Sequence, residues 1–293
     1  MKKTKIGFIG LGMMGKYMAK NLIKNNYQVT GYNRSKKVLA ELKKTGLVVS
    51  DSPKQVAEKC DVVILMLPTH KETNDVVFGK NGLNQGLTKG QIVIDMSTSN
   101  PAETTKIMKR LKKKGVIMMD APVSRGQKAA VNGTLSIMTG GEKKAFQKCL
   151  PIFKSMGTFV VHLGPFGSGM YVKAFNNFLF AMNLLASTQG LLIMKKNKID
   201  FKKAIEVISE SSGENQGLSF DIKNNLGKKH PTIGFYLKYM TKDVGIFDQV
   251  VKDQKISHSV AKPVLDFYKK MSKDYGDEDT MYLFEHLALK GEK

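Results

Sequence analysis

Eleven residues near the start of the chain restrict its folding more than any other stretch: Lys5–Gly15, KIGFIGLGMMG. Ile6, Phe8 and Ile9 are apolar enough for a buried strand, and Gly10, Gly12 and Gly15 then fall at the G-x-G-x-x-G spacing. Met14, Met18, Leu22 and Ile23 predict a helix over Met14–Asn25, and Gln28–Tyr32 predicts a second strand. Strand, glycine turn and helix in that order form a dinucleotide fingerprint. The first glycine permits the tight turn, the second lets the backbone approach a pyrophosphate, and the third lets helix and strand pack closely. The start of the helix offers unpaired N–H groups to the anion. Gly10, Leu11, Gly12, Met13 and Met14 are therefore the expected cofactor contacts.

At the tip of the second strand an NAD site usually places Asp or Glu for the ribose hydroxyl. Here stand Asn33, Arg34, Ser35, Lys36 and Lys37. Asn33, Arg34 and Ser35 are expected to receive a 2′-phosphate, which makes NADP(H) the expected cofactor.

The rest of the first half alternates strand and helix. A helix is predicted near Lys36–Thr45, a short strand at Leu47–Val49, a helix from Pro53 capped by Asp51 or Ser52, and an apolar strand over Val62–Leu67. Ile92–Asp95 and Val116–Ala121 are further strands, with a helix from Pro101 between them. Leu67, Pro68 and Thr98 follow strand ends, where ligands of doubly wound sheets bind, and are expected to line the cofactor. The run Asp120–Gly126 (DAPVSRG), with Gly133, Gly140 and Gly141 after it, reads either as a backbone-lined anion nest or as an ordinary glycine-rich loop. A helix over Glu142–Lys154 and a strand at Thr158–His162 complete this part, His162 being read as structural.

From Gly164 the strands cease. A long apolar helix over Met170–Lys195 carries Lys173, Asn176 and Asn177, and Lys173 and Asn177, at i,i+4, share a face. Helices are predicted at Phe201–Ser211, Phe235–Val251, Ser259–Met271 and Thr280–Leu289. The expected organisation is an α/β domain over 1–163 with a doubly wound sheet, then an all-helical domain over 164–293.

The net charge of +22 raises the question of nucleic acid. All but three of the 47 basic residues are Lys, the exceptions being Arg34, Arg110 and Arg125, whereas base readout and phosphate clamping favour the arginine fork. The lysines are spread along every helix, as solvated faces are, so no nucleic-acid partner is expected. Cys60 and Cys149 stand alone, without C-x-x-C or His-rich neighbours, so neither a disulfide nor a metal site is expected and a reducing, cytoplasmic setting fits. The opening segment is too short and glycine-broken for a signal peptide, and no run is read as a membrane span.

GFIGLGMMG, MLP, the Ser97-Thr98 loop, DAPVS with GTL, GSGMYVKAFNN and FYLKYMTKD together resemble the β-hydroxyacid dehydrogenase family, over essentially the whole chain. That resemblance implies a Rossmann domain joined by one long helix to an all-α domain, a homodimer or homotetramer, and a small anionic aldehyde or hydroxy acid as substrate. Lys173 matches the family's catalytic lysine, Asn177 its partner, Lys242 a second active-site lysine shared by substrate and cofactor, and Ser124 the contact to the substrate carboxylate. Arg125, Gly126 and Asn176 are the neighbouring substrate-side candidates. The chemistry agrees, because reducing an aldehyde requires a proton at the carbonyl oxygen, and a positioned ammonium supplies both the proton and the charge.

Where most members read DAPVSGG, this chain places Arg125 after Ser124, as sulfolactaldehyde reductases of the family do, although Phe180 offers no second sulfonate contact. Two related classes fit less well. The chain is too short for the helical domain of a 6-phosphogluconate dehydrogenase, and imine reductases usually lack the lysine. A non-catalytic basic nucleic-acid-binding protein is the reading from another class, and intact Lys173 and Asn177 count against it.

Overall fold

The computed structural model describes residues 4–223 and 235–280. The chain divides into two compact units, Met1–Lys173 and Ala174–Lys293.

The first unit is built on one sheet. Strands β1 (Lys5–Ile9), β2 (Gln28–Tyr32), β3 (Val48–Val49), β4 (Val62–Leu65), β5 (Ile92–Asp95) and β6 (Ile117–Asp120) are all parallel, in the order β3-β2-β1-β4-β5-β6. Period-2 alternation sorts their side chains onto two apolar layers. Ile6 and Phe8 of β1, with Val62 and Ile64 of β4, join one core beside Met18, Leu22 and Phe153. Ile9, Val63 and Leu65 join the other, beside Val56, Val77 and Leu111. Both faces therefore carry helices, as a doubly wound sheet requires. The helices are α1 (Gly15–Lys24), α2 (Lys36–Lys43), α3 (Pro53–Lys59), α4 (His70–Phe78), α5 (Pro101–Lys112), α6 (Gly126–Asn132) and α7 (Lys143–Lys154). Ser52 caps α3, its hydroxyl accepting the Gln55 N–H, which settles the choice between Asp51 and Ser52.

The glycine-rich stretch after β6 is neither an open nest nor a plain loop. Val123–Ser124 form β7, α6 follows, and Leu135–Gly140 form β8, which pairs antiparallel with β6 and β7 and parallel with β9 (Gly157–Gly164). The reason is the alternation in Leu135-Ser136-Ile137-Met138, which sends Leu135 and Ile137 fully into the core.

Helix α8 (Ser168–Lys196) is 29 residues long and contains the divide between the units. By length and composition it could cross a bilayer, which corrects the reading that no segment does. One side of it packs inside the protein, where Phe178, Ala181 and Leu184 are buried, while Val172, Phe175 and Ile193 are exposed. The second unit continues with α9 (Phe201–Ser209), a π-helical turn at Gly217–Ile222, α10 (Leu237–Asp253) and α11 (Ala261–Tyr275). Tyr268 is wholly enclosed, donates its hydroxyl to the Ala181 carbonyl at 2.9 Å, and has its phenol pKa pushed up by burial. The α10 helix begins two residues later than predicted because Phe235 and Tyr236 pair with Asp279 instead, the Phe235 N–H reaching its carboxylate at 2.9 Å. The helix predicted over Thr280–Leu289 lies, beyond Thr280, outside the described residues.

Candidate active site

In the first unit the glycine turn between β1 and α1 has the shape the fingerprint demands. Gly10 has φ +94°, and a Cβ there would collide with the Met66 carbonyl. On Gly15 a Cβ would collide with the Gly10 carbonyl and stand 3.0 Å from the Phe8 ring, so the third glycine is what seats α1 on β1. On Gly12 a Cβ would meet nothing within 4 Å. That open space, beside a helix start at Met14 with no side-chain cap, fits a pyrophosphate.

The neighbouring strand ends brace this turn. Asn33 accepts the Leu11 N–H at 3.0 Å through Oδ1 and donates through Nδ2 to the Ser35 carbonyl at 3.3 Å, so its amide fastens the tip of β2 to the turn. Arg34 and Ser35 beside it are exposed, and Ser35 precedes α2 without capping it by its side chain. Glu72 of α4 is held below the ordinary carboxylate range, first by the hydrogen bond from Thr69 and further by the charge of Arg34. At the end of β4 the Leu67 N–H donates to Ser97 Oγ at 2.9 Å, while the Ser97 N–H donates to Asp95 at 3.0 Å. Ser97 is thus a buried brace, with Thr98 half-buried next to it and Pro68 exposed.

Ser124 lies opposite Ser136 in the β7–β8 register and is half-buried. Arg125 after it is exposed and sits in the left-handed region at φ +82°, followed by Gly126 at φ +68°. The guanidinium reaches the Thr134 carbonyl at 3.4 Å. Behind this loop Asp120 is fully buried and accepts N–H groups from Gly167 and Met170, at the start of α8. Lys173, further along that helix, is 7% exposed.

In the second unit Asn177 Nδ2 donates to Asp243 Oδ2 at 2.6 Å, and Asn176 Nδ2 donates to Asn177 Oδ1 at 3.1 Å. Lys242 Nζ stands 2.9 Å from the other oxygen of Asp243. Asn176, Asn177 and Lys242 are thus brought together around a carboxylate that the sequence reading did not single out. Asp243 is 2% exposed, and its only local signal was adjacency to Lys242. Asp120 and Ser97 likewise stand inside sequence motifs that give neither of them a role. Among the described residues no cluster of His, Cys, Asp and Glu could hold a metal ion.

A parallel sheet in this order, with an open glycine turn at its switch point, defines a dinucleotide-binding Rossmann protein. Residues 5–164 match the profile of the NAD binding domain of 6-phosphogluconate dehydrogenase, and residues 167–287 that of the NAD-binding domain of NADP-dependent 3-hydroxyisobutyrate dehydrogenase. The mitochondrial 3-hydroxyisobutyrate dehydrogenase of Mus musculus is 34% identical over 97% of this chain and 87% of its own. The chloroplastic glyoxylate/succinic semialdehyde reductase 2 of Arabidopsis thaliana is 32% identical over 98% of this chain and 80% of its own. The structure of Mycobacterium tuberculosis 3-hydroxyisobutyrate dehydrogenase with L-serine superimposes with a TM-score of 0.90 at 25% identity, covering 97% and 99% of the two chains. The chain belongs to the β-hydroxyacid dehydrogenase family. It is a nicotinamide-dependent oxidoreductase of the hydroxyacid and semialdehyde dehydrogenase type.

Proposed function

We propose that this enzyme uses NADPH to reduce a small anionic semialdehyde to its hydroxy acid, or runs that reaction in reverse, with Lys173 as the proton donor and acceptor. The observation that carries the reading is the burial of Lys173. At 7% exposure it is the lysine that the fold encloses among the described residues, while lysines such as Lys106, Lys109, Lys112 and Lys113 stay in solvent. Enclosing a lysine is costly, which makes the buried one the candidate for a group that acts there. The bound nicotinamide would supply or take the hydride. Lys173 Nζ gives its proton to the carbonyl oxygen during reduction and takes the hydroxyl proton during oxidation. Asn177 holds the reacting oxygen, its amide fixed by Asp243 on one side and Asn176 on the other. Lys242, paired with the same carboxylate, adds positive charge for an anionic substrate or the cofactor.

Leu11, Gly12, Met13 and Met14 hold the pyrophosphate, and Leu67, Pro68 and Thr98 line the nicotinamide side. The preference for NADPH rests on the exposed Arg34 and Ser35 and on Asn33 in place of an acid, whose amide N–H, not its oxygen, would meet a phosphate. Ser124, Arg125 and Gly126 receive the substrate's anionic group. Arg125 also admits one narrower reading, a sulfonate semialdehyde, because a guanidinium forks onto a sulfonate as readily as onto a carboxylate. The two buried, unpaired thiols of Cys60 and Cys149 support a reducing, cytoplasmic setting.

The test is Lys173→Ala, assayed with succinic semialdehyde, glyoxylate and a sulfonate semialdehyde, with NADPH and NADH in parallel. Turnover should fall by about a hundredfold or more, the usual scale of a lost general acid, while NADPH still binds. Near-normal turnover would move the proton transfer to another group, Lys242 first.

A further inference from the structure

We infer that Asp120 is a positioning residue that ties the Ser124 loop to Lys173 through the first turn of α8, an inference that rests on the catalytic reading of Lys173. The first N–H groups of a helix lack partners within it, and at four other helices of this fold a side chain just before the helix satisfies them. Ser52, Thr69, Asn100 and Asp200 each cap the helix that they immediately precede. For α8 the acceptor comes instead from the end of β6. Asp120 Oδ1 accepts the Gly167 N–H at 2.7 Å and Oδ2 accepts the Met170 N–H at 2.9 Å, across 47 and 50 residues of sequence.

The carboxylate is fully buried. Burial pushes its pKa up, and the backbone N–H groups of Gly167, Met170 and Gly169 pull it back. Its surroundings allow it little freedom to move. A Cβ on Gly140 would collide with Oδ1, and one on Gly169 would stand 2.9 Å from Oδ2. Glycine at both places admits the carboxylate.

Ser124 lies four residues beyond Asp120 on the same strand-to-loop run, and Lys173 lies three residues beyond Met170, within one helical turn. One side chain therefore fixes both the root of the substrate loop and the turn that bears the lysine. Any slide or rotation of that turn moves Nζ relative to Ser124, and a misplacement of about 1 Å can cost about a hundredfold in rate. A residue that only stabilised the helix would have no such effect on turnover once the protein had folded.

A double-mutant cycle separates the two roles. Asp120→Asn preserves size but places an amide where one N–H group needs an acceptor. In this variant NADPH affinity should stay within about twofold, aldehyde KM should change little, and kcat should fall roughly 10- to 100-fold. In the Lys173→Ala background the same change should cost less than about threefold, because the group it positions is gone. Unchanged kcat in folded Asp120→Asn, or the full loss repeated on top of Lys173→Ala, would overturn the inference while leaving the lysine assignment standing. Undiminished turnover of Lys173→Ala alone would overturn both. If Asp120→Asn does not fold, Asp120→Ser, smaller and retaining one acceptor, is read by the same criteria.

Discussion

Arg125 holds a backbone conformation that glycine adopts freely and arginine does not. With φ +82° and ψ +11° it carries a left-handed cost of about 1 kcal/mol or more. Arg125→Gly should therefore raise the denaturant midpoint, by the equivalent of about 1 kcal/mol. If the guanidinium receives the substrate anion, the same variant should lose about 1.5–3 kcal/mol in kcat/KM, roughly 10- to 150-fold, for anionic aldehydes and nothing for neutral ones. A uniform loss over both sets would place the arginine on the cofactor, and no loss would place it in solvent. The sequence already showed this residue as odd, since the chain uses lysine almost everywhere for positive charge, but the backbone strain was not legible there. Asn33 was legible as a missing acid, not as the acceptor of the Leu11 N–H. Asp120 and Asp243 were hidden for one physical reason: their enclosure is made by partners 47–66 residues away, and no local pattern reports it.

The connection from α10 to α11 is fastened by another buried carboxylate. Asp248 of α10 is 3% exposed and takes Lys252 Nζ at 2.6 Å and His258 Nδ1 at 3.2 Å. Burial, the largest single influence, raises its pKa, but the hydrogen bonds and charges of Lys252 and His258 outweigh it and leave the carboxyl below its ordinary range. A depressed folded-state pKa gives stability that is complete above the unfolded value near 4 and is lost as pH falls through the folded one. Asp248→Asn should therefore lower the denaturant midpoint at pH 7, and the gap to wild type should close only as pH falls below the ordinary carboxylate range. A gap that stays constant across that range would mean the carboxylate acts by shape alone. The elements with strong periodicity were readable from sequence, as β1, α1, β4 and α8 show. Helix α4 was missed, and β8 was masked by the glycines around it, although Leu135 and Ile137 alternate inward as a strand requires. Glycine signals a turn in most contexts; here Gly140 is small so that β8 can pass Asp120.

The whole molecule carries a formal charge of +22, and its cofactor and proposed substrate are anions. Raising ionic strength from about 0.01 M to about 0.15 M shrinks the Debye length from about 30 Å to about 8 Å, so KM for NADPH should rise roughly threefold or more with kcat nearly constant. Insensitivity to salt would show that the lysines keep the protein dispersed without steering its ligands. Steep salt-dependent DNA binding without aldehyde turnover would instead favour the non-catalytic reading. Sheet order has a consequence for how the chain is made. Strand β1 sits between β2 and β4, pairing Ile6 with Val29 on one side and with Val62 on the other. It leaves the ribosome before either neighbour, and its second partner is not complete until Leu65 emerges. At about 5–20 residues per second, translating the stretch from the end of β2 to the end of β4 takes about two to seven seconds. Through that interval the β4-side edge of this apolar strand has no partner on the nascent chain, and a chaperone can bind it there.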